Sequence, residues 1–315
     1  MEEKRKIYFR ADAGPNIGYG HYIRSLALAD MLKQDFDCTM FTQMPTDYQL
    51  RECESICPIV ALPDDDSKFE KFLEYLKGDE IVVLDNYFFT TVYQRAIKAK
   101  GSQLVCIDDM RDKHYVADMI INHGAVRPKD FDAEPYTRYC LGSEYALLRR
   151  PFLEHGKGAH TKGVYTICFG GSDQYNLTNK YIVLLQNNRQ VKQIYAVVGD
   201  GYHYVNSILQ YPKVKVLKNQ TAQQMASILL ESEAIFCSYS SICREAMACG
   251  TRVYAGWYVD NQKVGYEHAV EENTFIPMGY LLDATSIPRE CEYRTPYIFD
   301  KKIIGRYIKA FKSLI

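Results

Sequence analysis

Arg10-Ala-Asp-Ala-Gly-Pro-Asn-Ile-Gly-Tyr-Gly-His-Tyr-Ile-Arg-Ser-Leu-Ala-Leu-Ala-Asp-Met-Leu32 is the stretch that decides how this chain reads. A short strand, Lys6 to Arg10, runs into a loop with glycines at 14, 18 and 20, and a helix opens at once with His21 at its mouth. Glycines let backbone N–H groups approach a phosphate, and a helix N-terminus adds unpaired donors at the positive end of its dipole. A histidine placed there can act as a base beside an anionic substrate. Gly18-Tyr-Gly20 also begins the G-x-G-x-x-G of dinucleotide folds, but the third position is Ile23. The next strand, about Asp37 to Thr42, ends without an acidic residue for a ribose hydroxyl. On both counts NAD binding is set aside.

Working outward, 315 residues are long for one core and comfortable for two domains. With 38 basic and 39 acidic side chains, no charge excess points to nucleic acid or an anionic membrane. The start, Met-Glu-Glu-Lys-Arg-Lys, leads into a strand, and no window offers the apolar run of a spanning helix. A cytoplasmic protein without membrane insertion is expected. The ten cysteines include no C-x-x-C, and Cys106, Cys168 and Cys237 sit in apolar strand-like runs. They read as reduced core thiols, with no metal site.

Strands and helices alternate. The first half gives strands at Ile7–Arg10, Cys38–Thr42, Ile81–Asp85, Leu104–Asp108 and Met119–Asn122. Its clearest helix is Tyr22–Leu32, with Ile23, Leu26, Ala27 and Met31 on one face. The second half gives strands at Tyr165–Phe169, Ile194–Val198, Lys213–Leu217, Ala234–Ser238 and Arg252–Ala255, and a capping box at Thr221-Ala-Gln-Gln224. Short apolar strands between helices imply parallel sheets covered on both faces. The break is expected in Leu153–Lys162, dividing the chain into 1–152 and 153–300, two Rossmann-like halves. A last helix, Lys301–Ile315, carries Ile304, Tyr307, Ile308 and Phe311 on one side, to be docked back on the first domain.

Candidate chemistry gathers at strand C-termini, where open α/β sheets bind ligands. Gly170-Gly171-Ser172-Asp173 precedes a helix and reads either as a phosphate cradle or as a capped tight turn. Ser238-Tyr-Ser-Ser-Ile-Cys-Arg-Glu245 is a second such place. There Ser240 and Ser241 can hold a diphosphate and Glu245 can accept from ribose hydroxyls, or Glu245 can be a solvated helical carboxylate. Asp260-Asn261-Gln262 follows another strand.

With these motifs in view, the Arg10–Leu32 stretch resembles the N-terminal signature of the UDP-sugar hydrolases of pseudaminic acid biosynthesis. That family acts on UDP-2,4-diacetamido-2,4,6-trideoxy-altropyranose and is similar to spore-coat polysaccharide proteins and the peptidoglycan N-acetylglucosamine transferase. The resemblance continues through Asp85-Asn-Tyr87, Cys106-Ile-Asp-Asp-Met, Leu141-Gly-Ser-Glu-Tyr-Ala-Leu-Leu-Arg-Arg-Pro-Phe, Phe169-Gly-Gly-Ser-Asp173 and Asp260-Asn-Gln262, in order.

The resemblance implies an α/β, GT-B-like architecture, two Rossmann-like domains facing each other across a cleft. It assigns catalysis to His21, Tyr87 and Asn261, with His21 the base. The sugar side is expected at Arg10, Asp12, Gly14, Ile17, Gly18, Gly20, Asp85 and Gln262, and Asp12 and Asp85 can each orient His21 or a sugar hydroxyl. The nucleotide side is expected at Gly170, Gly171, Ser172, Ser240, Ser241 and Glu245. Water would attack the anomeric carbon with inversion, without metal or other cofactor. A UDP-sugar is the expected small-molecule partner of a monomer that at most touches pathway enzymes transiently. The chain departs from the family at Ser238-Tyr-Ser-Ser and Arg244-Glu245, where many relatives carry glycines and a tryptophan, and at Trp257-Tyr258. Two other classes share these features: a GT-B glycosyltransferase using a UDP-amino sugar, which needs an acceptor, and an inactive nucleotide-sugar-binding protein, which has no use for His21.

Overall fold

The computed structural model describes residues 4–14, 18–124, 126–289, 291, 299 and 302–315, apart from the side chain of Asn261. Ile17 lies outside the described residues, as does the Asn261 side chain. The chain forms two compact units. One comprises the residues up to Arg150 together with Phe299–Ile315, and the other is Pro151–Ile298. The division falls just before Leu153–Lys162, because Arg150 is tied into the first unit by its Nε, 3.2 Å from Asp30 Oδ2.

The first unit holds seven strands: β1 (Lys6–Arg10), β2 (Asp37–Gln43), β3 (Ile59–Leu62), β4 (Ile81–Leu84), β5 (Gln103–Ile107), β6 (Met119–Asn122) and β7 (Arg138–Leu141). They run parallel in the order β3-β2-β1-β4-β5-β6-β7. Helices α1 (Gly20–Leu32), α2 (Asp47–Cys53), α3 (Ser67–Tyr75) and α4 (Thr91–Ala99) follow β1 to β4 in turn. Every residue of β4 is buried, which is why its sequence, Ile-Val-Val-Leu, shows no alternation. The chain reverses its winding between β1 and β4, in register Arg10 to Leu84. Open α/β sheets offer a crevice at such a switch point. Here the two strand ends deliver Asp12 and Asp85.

Helix α1 is buried from Tyr22 through Leu32 rather than on one face. The reason is α9 (Lys302–Lys312), which covers the side of α1 away from the sheet. The buried stripe of α9 is Ile303, Tyr307 and Phe311, continued by Leu314; Ile304 and Ile308 flank it half-buried. The docked face is thus turned by one position from Ile304, Tyr307, Ile308 and Phe311. Each large side chain so buried contributes about 1.5–3 kcal/mol. The Tyr307 hydroxyl donates to the Tyr145 carbonyl at 2.5 Å, and Lys312 pairs with Asp35 at 2.6 Å.

The second unit holds β8 (Thr161–Cys168), β9 (Gln193–Val198), β10 (Val214–Lys218), β11 (Ser232–Ser238), β12 (Arg252–Trp257) and β13 (Ile276–Tyr280). The order is β10-β9-β8-β11-β12-β13, again parallel throughout. Helices α5 (Leu177–Gln186), α6 (Ala222–Glu231), α7 (Ser241–Ala248) and α8 (Asp260–Glu271) lie between or after them. Its switch point lies between β8 and β11, where Cys168 is in register with Cys237. The loops that follow are Phe169–Asp173 and Tyr239–Ser240.

Two further features of the chain follow from the fold. All ten cysteines are free thiols. Among the described residues no helix is long and apolar enough to cross a membrane.

Candidate active site

The first unit's switch point carries a chain of ionic hydrogen bonds. His21 sits in the first turn of α1, and its Nδ1 lies 2.8 Å from Asp85 Oδ1. Arg24, one turn further along the same helix face, donates from Nε to Asp85 Oδ2 at 2.7 Å and from Nη2 to Asp85 Oδ1 at 2.6 Å. Ser25 adds a hydroxyl to Asp85 Oδ2 at 3.1 Å. Asp85 has no exposed surface, so a buried carboxylate is matched by a bidentate fork and a hydroxyl. Arg24 also donates from Nη1 to Asp109 Oδ2 at 2.9 Å, after β5.

This arrangement selects the histidine tautomer. Arg24 Nη2 lies 3.1 Å from His21 Nδ1, but its two hydrogens are directed to Asp85 Oδ1 at 2.6 Å and Asp109 Oδ1 at 3.4 Å, and an ionised Asp85 can only accept. If Nδ1 were bare, it would face a carboxylate oxygen at 2.8 Å, lone pair against lone pair. Nδ1 therefore carries the proton and donates it to Asp85, and Nε2 presents a lone pair. The ring of Tyr87 meets the imidazole edge-on with centroids 4.6 Å apart, and its hydroxyl reaches Asp109 Oδ2 at 3.5 Å.

Electrostatics follow the same contacts. Burial pushes the Arg24 guanidinium toward neutrality, but Asp109 and Asp85 outweigh it and hold the charge firmly. Burial likewise works to raise the Asp109 carboxyl, and Arg24 overrides it, holding the group well below the usual carboxylate range.

Arg10 and Asp12, expected on the sugar side, have no exposed surface and pair with each other: Arg10 donates from Nη1 to Asp12 Oδ1, and from Nη2 to Oδ2 at 2.9 Å. Asp12 further accepts from the Gln43 amide at 2.8 Å and pairs with Lys68 at 3.1 Å. Its backbone N–H donates to Asn86 Oδ1 at 2.6 Å. Asp12 thus pins the ends of β1, β2 and β4 together beneath the site. Its carboxyl is lifted by burial, and Arg10, the Gln43 amide and Lys68 together outweigh that lift, so it ends below its ordinary value. Gly14 and Gly18 exchange backbone hydrogen bonds at 3.4 and 2.8 Å, closing the loop. Gly18 takes φ +83°, a conformation that favours glycine, and a Cβ at Gly14, Gly18 or Gly20 would meet open space.

At the second switch point Gly170 adopts φ +96° and Asp173 caps α5, accepting from the Leu177 and Thr178 amides at 2.9 and 2.7 Å. The Gly171 carbonyl is drawn inward by the Gly199 amide at 3.0 Å. A Cβ on Gly199 would stand 2.6 Å from that carbonyl oxygen, and one on Gly201 3.0 Å from Ser172 Cβ. The loop after β9 therefore braces the Gly170–Ser172 turn. The Tyr258 hydroxyl donates to the Phe169 carbonyl at 3.3 Å, with its own ionisation pushed up to about 12 by burial. Gln262, expected on the sugar, accepts from the Tyr258 amide at 3.2 Å through Oε1 and so closes its own loop. Ser240 precedes α7 without a side-chain cap bond, its hydroxyl 3.3 Å from that of Ser238. Ser241 opens the helix and Glu245 is buried one turn in.

The structure thus gathers His21, Asp85 and Tyr87 at one switch point, and Gly170, Gly171, Ser172, Ser240, Ser241 and Glu245 at or near the ends of β8 and β11. Arg24, Asp109 and Gly199 were not singled out in the sequence. Arg24 was detectable as the one basic side chain in Tyr22–Leu32, three residues after the histidine on the same helix. Among the described residues no group of three or more His, Cys, Asp or Glu is placed to hold a metal ion.

No protein-family model matches the chain. It is 25% identical over 283 residues to the UDP-2,4-diacetamido-2,4,6-trideoxy-beta-L-altropyranose hydrolase of Campylobacter jejuni, covering 83% of this chain and 98% of the relative. It is 26% identical over 305 residues to an uncharacterized protein of Methanocaldococcus jannaschii, covering 89% of this chain. The matched region spans only 62% of that relative's length. Among solved structures, Arabidopsis thaliana UGT89C1 complexed with UDP matches with a TM-score of 0.64 at 10% identity, over 98% of this chain and 91% of that one. The fold is therefore α/β and GT-B-like, built of two Rossmann-like domains with parallel sheets. Within that class the chain resembles the altropyranose hydrolase along most of its length.

Proposed function

We propose that the protein is an enzyme acting on a UDP-sugar, and that it hydrolyses its substrate by water attack at the anomeric carbon. The observation that carries this is the His21–Asp85 pair: a histidine at a helix mouth, its Nδ1–H given to a buried carboxylate at 2.8 Å and its Nε2 left as the acceptor. That is the arrangement a general base for water requires. In the step, Nε2 takes a proton from water as its oxygen bonds to the anomeric carbon. The bond from that carbon to the diphosphate oxygen breaks with its electron pair, so UDP leaves and the configuration inverts. Asp85 holds the imidazolium that forms.

The leaving group needs little help, since a terminal phosphate has a second pKa near 6. The turn Gly170–Ser172 and the start of α7 at Ser241 supply backbone donors for its charge, and Glu245 would accept from the ribose. Tyr87 and Asn261 would hold the sugar. A UDP-linked diacetamido-trideoxyhexose is the substrate class that the Campylobacter relative's name supports, and our reading assigns its product to nonulosonic acid or surface polysaccharide synthesis. No divalent cation is invoked in this chemistry, so EDTA should leave turnover unaffected.

One observation favours a second reading as a glycosyltransferase. Met44, Phe88 and Met110, which follow β2, β4 and β5, are exposed apolar side chains near the first site and would suit an acceptor. Incubation with a panel of UDP-sugars in ¹⁸O-labelled water, with and without acceptors, separates the two. Hydrolysis at carbon puts the label on the free sugar. Label on UDP places the attack at phosphorus, and a product formed only with acceptor makes the protein a transferase.

A further inference from the structure

Asp109 follows β5 and is 40% exposed, yet it is firmly held: Arg24 donates to its two oxygens at 2.9 and 3.4 Å. The same guanidinium grips both oxygens of Asp85. Arg24 therefore stands between two carboxylates, one touching His21 Nδ1 and the other within reach of the Tyr87 hydroxyl at 3.5 Å.

The charges decide what this does. Arg24 alone would cancel the field of Asp85 at the imidazole, because its Nη2 lies 3.1 Å from Nδ1. With Asp109 present, two carboxylates face one guanidinium, and these three groups together carry one net negative charge beside His21. Protonation of Nε2 then brings the cluster to neutrality. The groups facing His21 are Asp85 from the end of β4, Arg24 from α1, Asp109 from the end of β5 and the Tyr87 ring. His123, after β6, acts electrostatically on Asp109 from the neighbouring strand.

We propose that Asp109 is a positioning residue, which offsets the charge of Arg24 so that Asp85 acts on His21 at full strength, and which anchors Tyr87 to the same cluster. The proposal rests on His21 being the base, and its test can fail separately from that assignment. Asp109→Asn keeps the shape and one acceptor oxygen but removes the charge, and Asp109→Glu restores the charge.

The direct readout is the imidazole of His21, followed by NMR with ¹⁵N-histidine and assigned by the resonance lost in His21→Asn. Removing the Asp109 charge from this cluster should lower the His21 titration midpoint by about 0.5–1 pH unit. Asp109→Glu should return it. In turnover, the acid limb of the pH profile should move down by the same amount in Asp109→Asn, with kcat reduced and KM little changed. An unmoved His21 midpoint in folded Asp109→Asn would overturn the proposal, even if the protein hydrolyses a UDP-sugar. A midpoint that moves as expected in a protein that hydrolyses no UDP-sugar supports the charge arrangement and removes the hydrolase assignment instead.

Discussion

Arg24 meets Asp85 side-on, Nε to Oδ2 at 2.7 Å and Nη2 to Oδ1 at 2.6 Å, with both groups buried. The two residues lie 61 positions apart in the chain and belong to α1 and the end of β4. Such a fork fixes the plane of the carboxylate as well as its charge, and a lysine cannot reproduce it. Arg24→Lys should therefore lower kcat about tenfold or more while costing only about 1–3 kcal/mol of stability. Arg24→Met should cost about 3–5 kcal/mol, because it leaves Asp85 buried without a counter-charge. Urea denaturation beside steady-state kinetics checks both. Equal activity in Arg24→Lys would mean that the fork is structural only.

Gly199→Ala probes the second switch point without touching any side chain that would meet the nucleotide. The added methyl would stand 2.6 Å from the Gly171 oxygen and 2.7 Å from its Cα, so the Gly170–Ser172 turn must shift. UDP affinity should fall about tenfold by calorimetry, equivalent to about 1.4 kcal/mol. An unchanged dissociation constant would remove this turn from the nucleotide site.

Stability should depend on acid through Asp12. Its folded pKa is depressed, burial being outweighed by Arg10, the Gln43 amide and Lys68. A depressed carboxyl contributes fully above its unfolded value, about 3.9, and loses that contribution as pH falls through the folded one. The urea midpoint should hold between pH 7 and pH 5 and drop below about pH 4. In Asp12→Asn the drop should be shallower, from a lower starting stability. A wild-type midpoint that does not fall below pH 4 would show that Asp12 is not a stabilising ion.

Much of the fold was legible because central parallel strands are apolar on both faces: Ile81–Leu84 and Ala234–Ser238 could hardly be anything else. The strands passed over are at sheet edges. Ile276–Tyr280 contains Pro277 and Gly279, tolerable only where one side lacks a ladder partner, and Arg138–Leu141 is half exposed. Ile59–Leu62 is only four residues long.

At the site, the sequence offered Asp12 and Asp85 alike as groups to orient His21 or a sugar hydroxyl; that Asp85 is the one bonded to His21 is decided by the sheet order, which puts β4 beside β1. Arg10 illustrates the converse. The resemblance placed it on the sugar side, and nothing local reveals that it turns inward onto Asp12. Asp109 was quoted within a motif, but its partner Arg24 stands 85 residues earlier.

The central assignment is that His21 is the base that activates water. Asparagine can serve at a helix mouth as well as histidine can, so His21→Asn should preserve folding and leave UDP affinity within about twofold. Its steady-state hydrolysis of the preferred UDP-sugar, measured as UDP release, should fall by about 10²-fold or more. Release of UDP by His21→Asn at close to the wild-type rate would contradict the assignment.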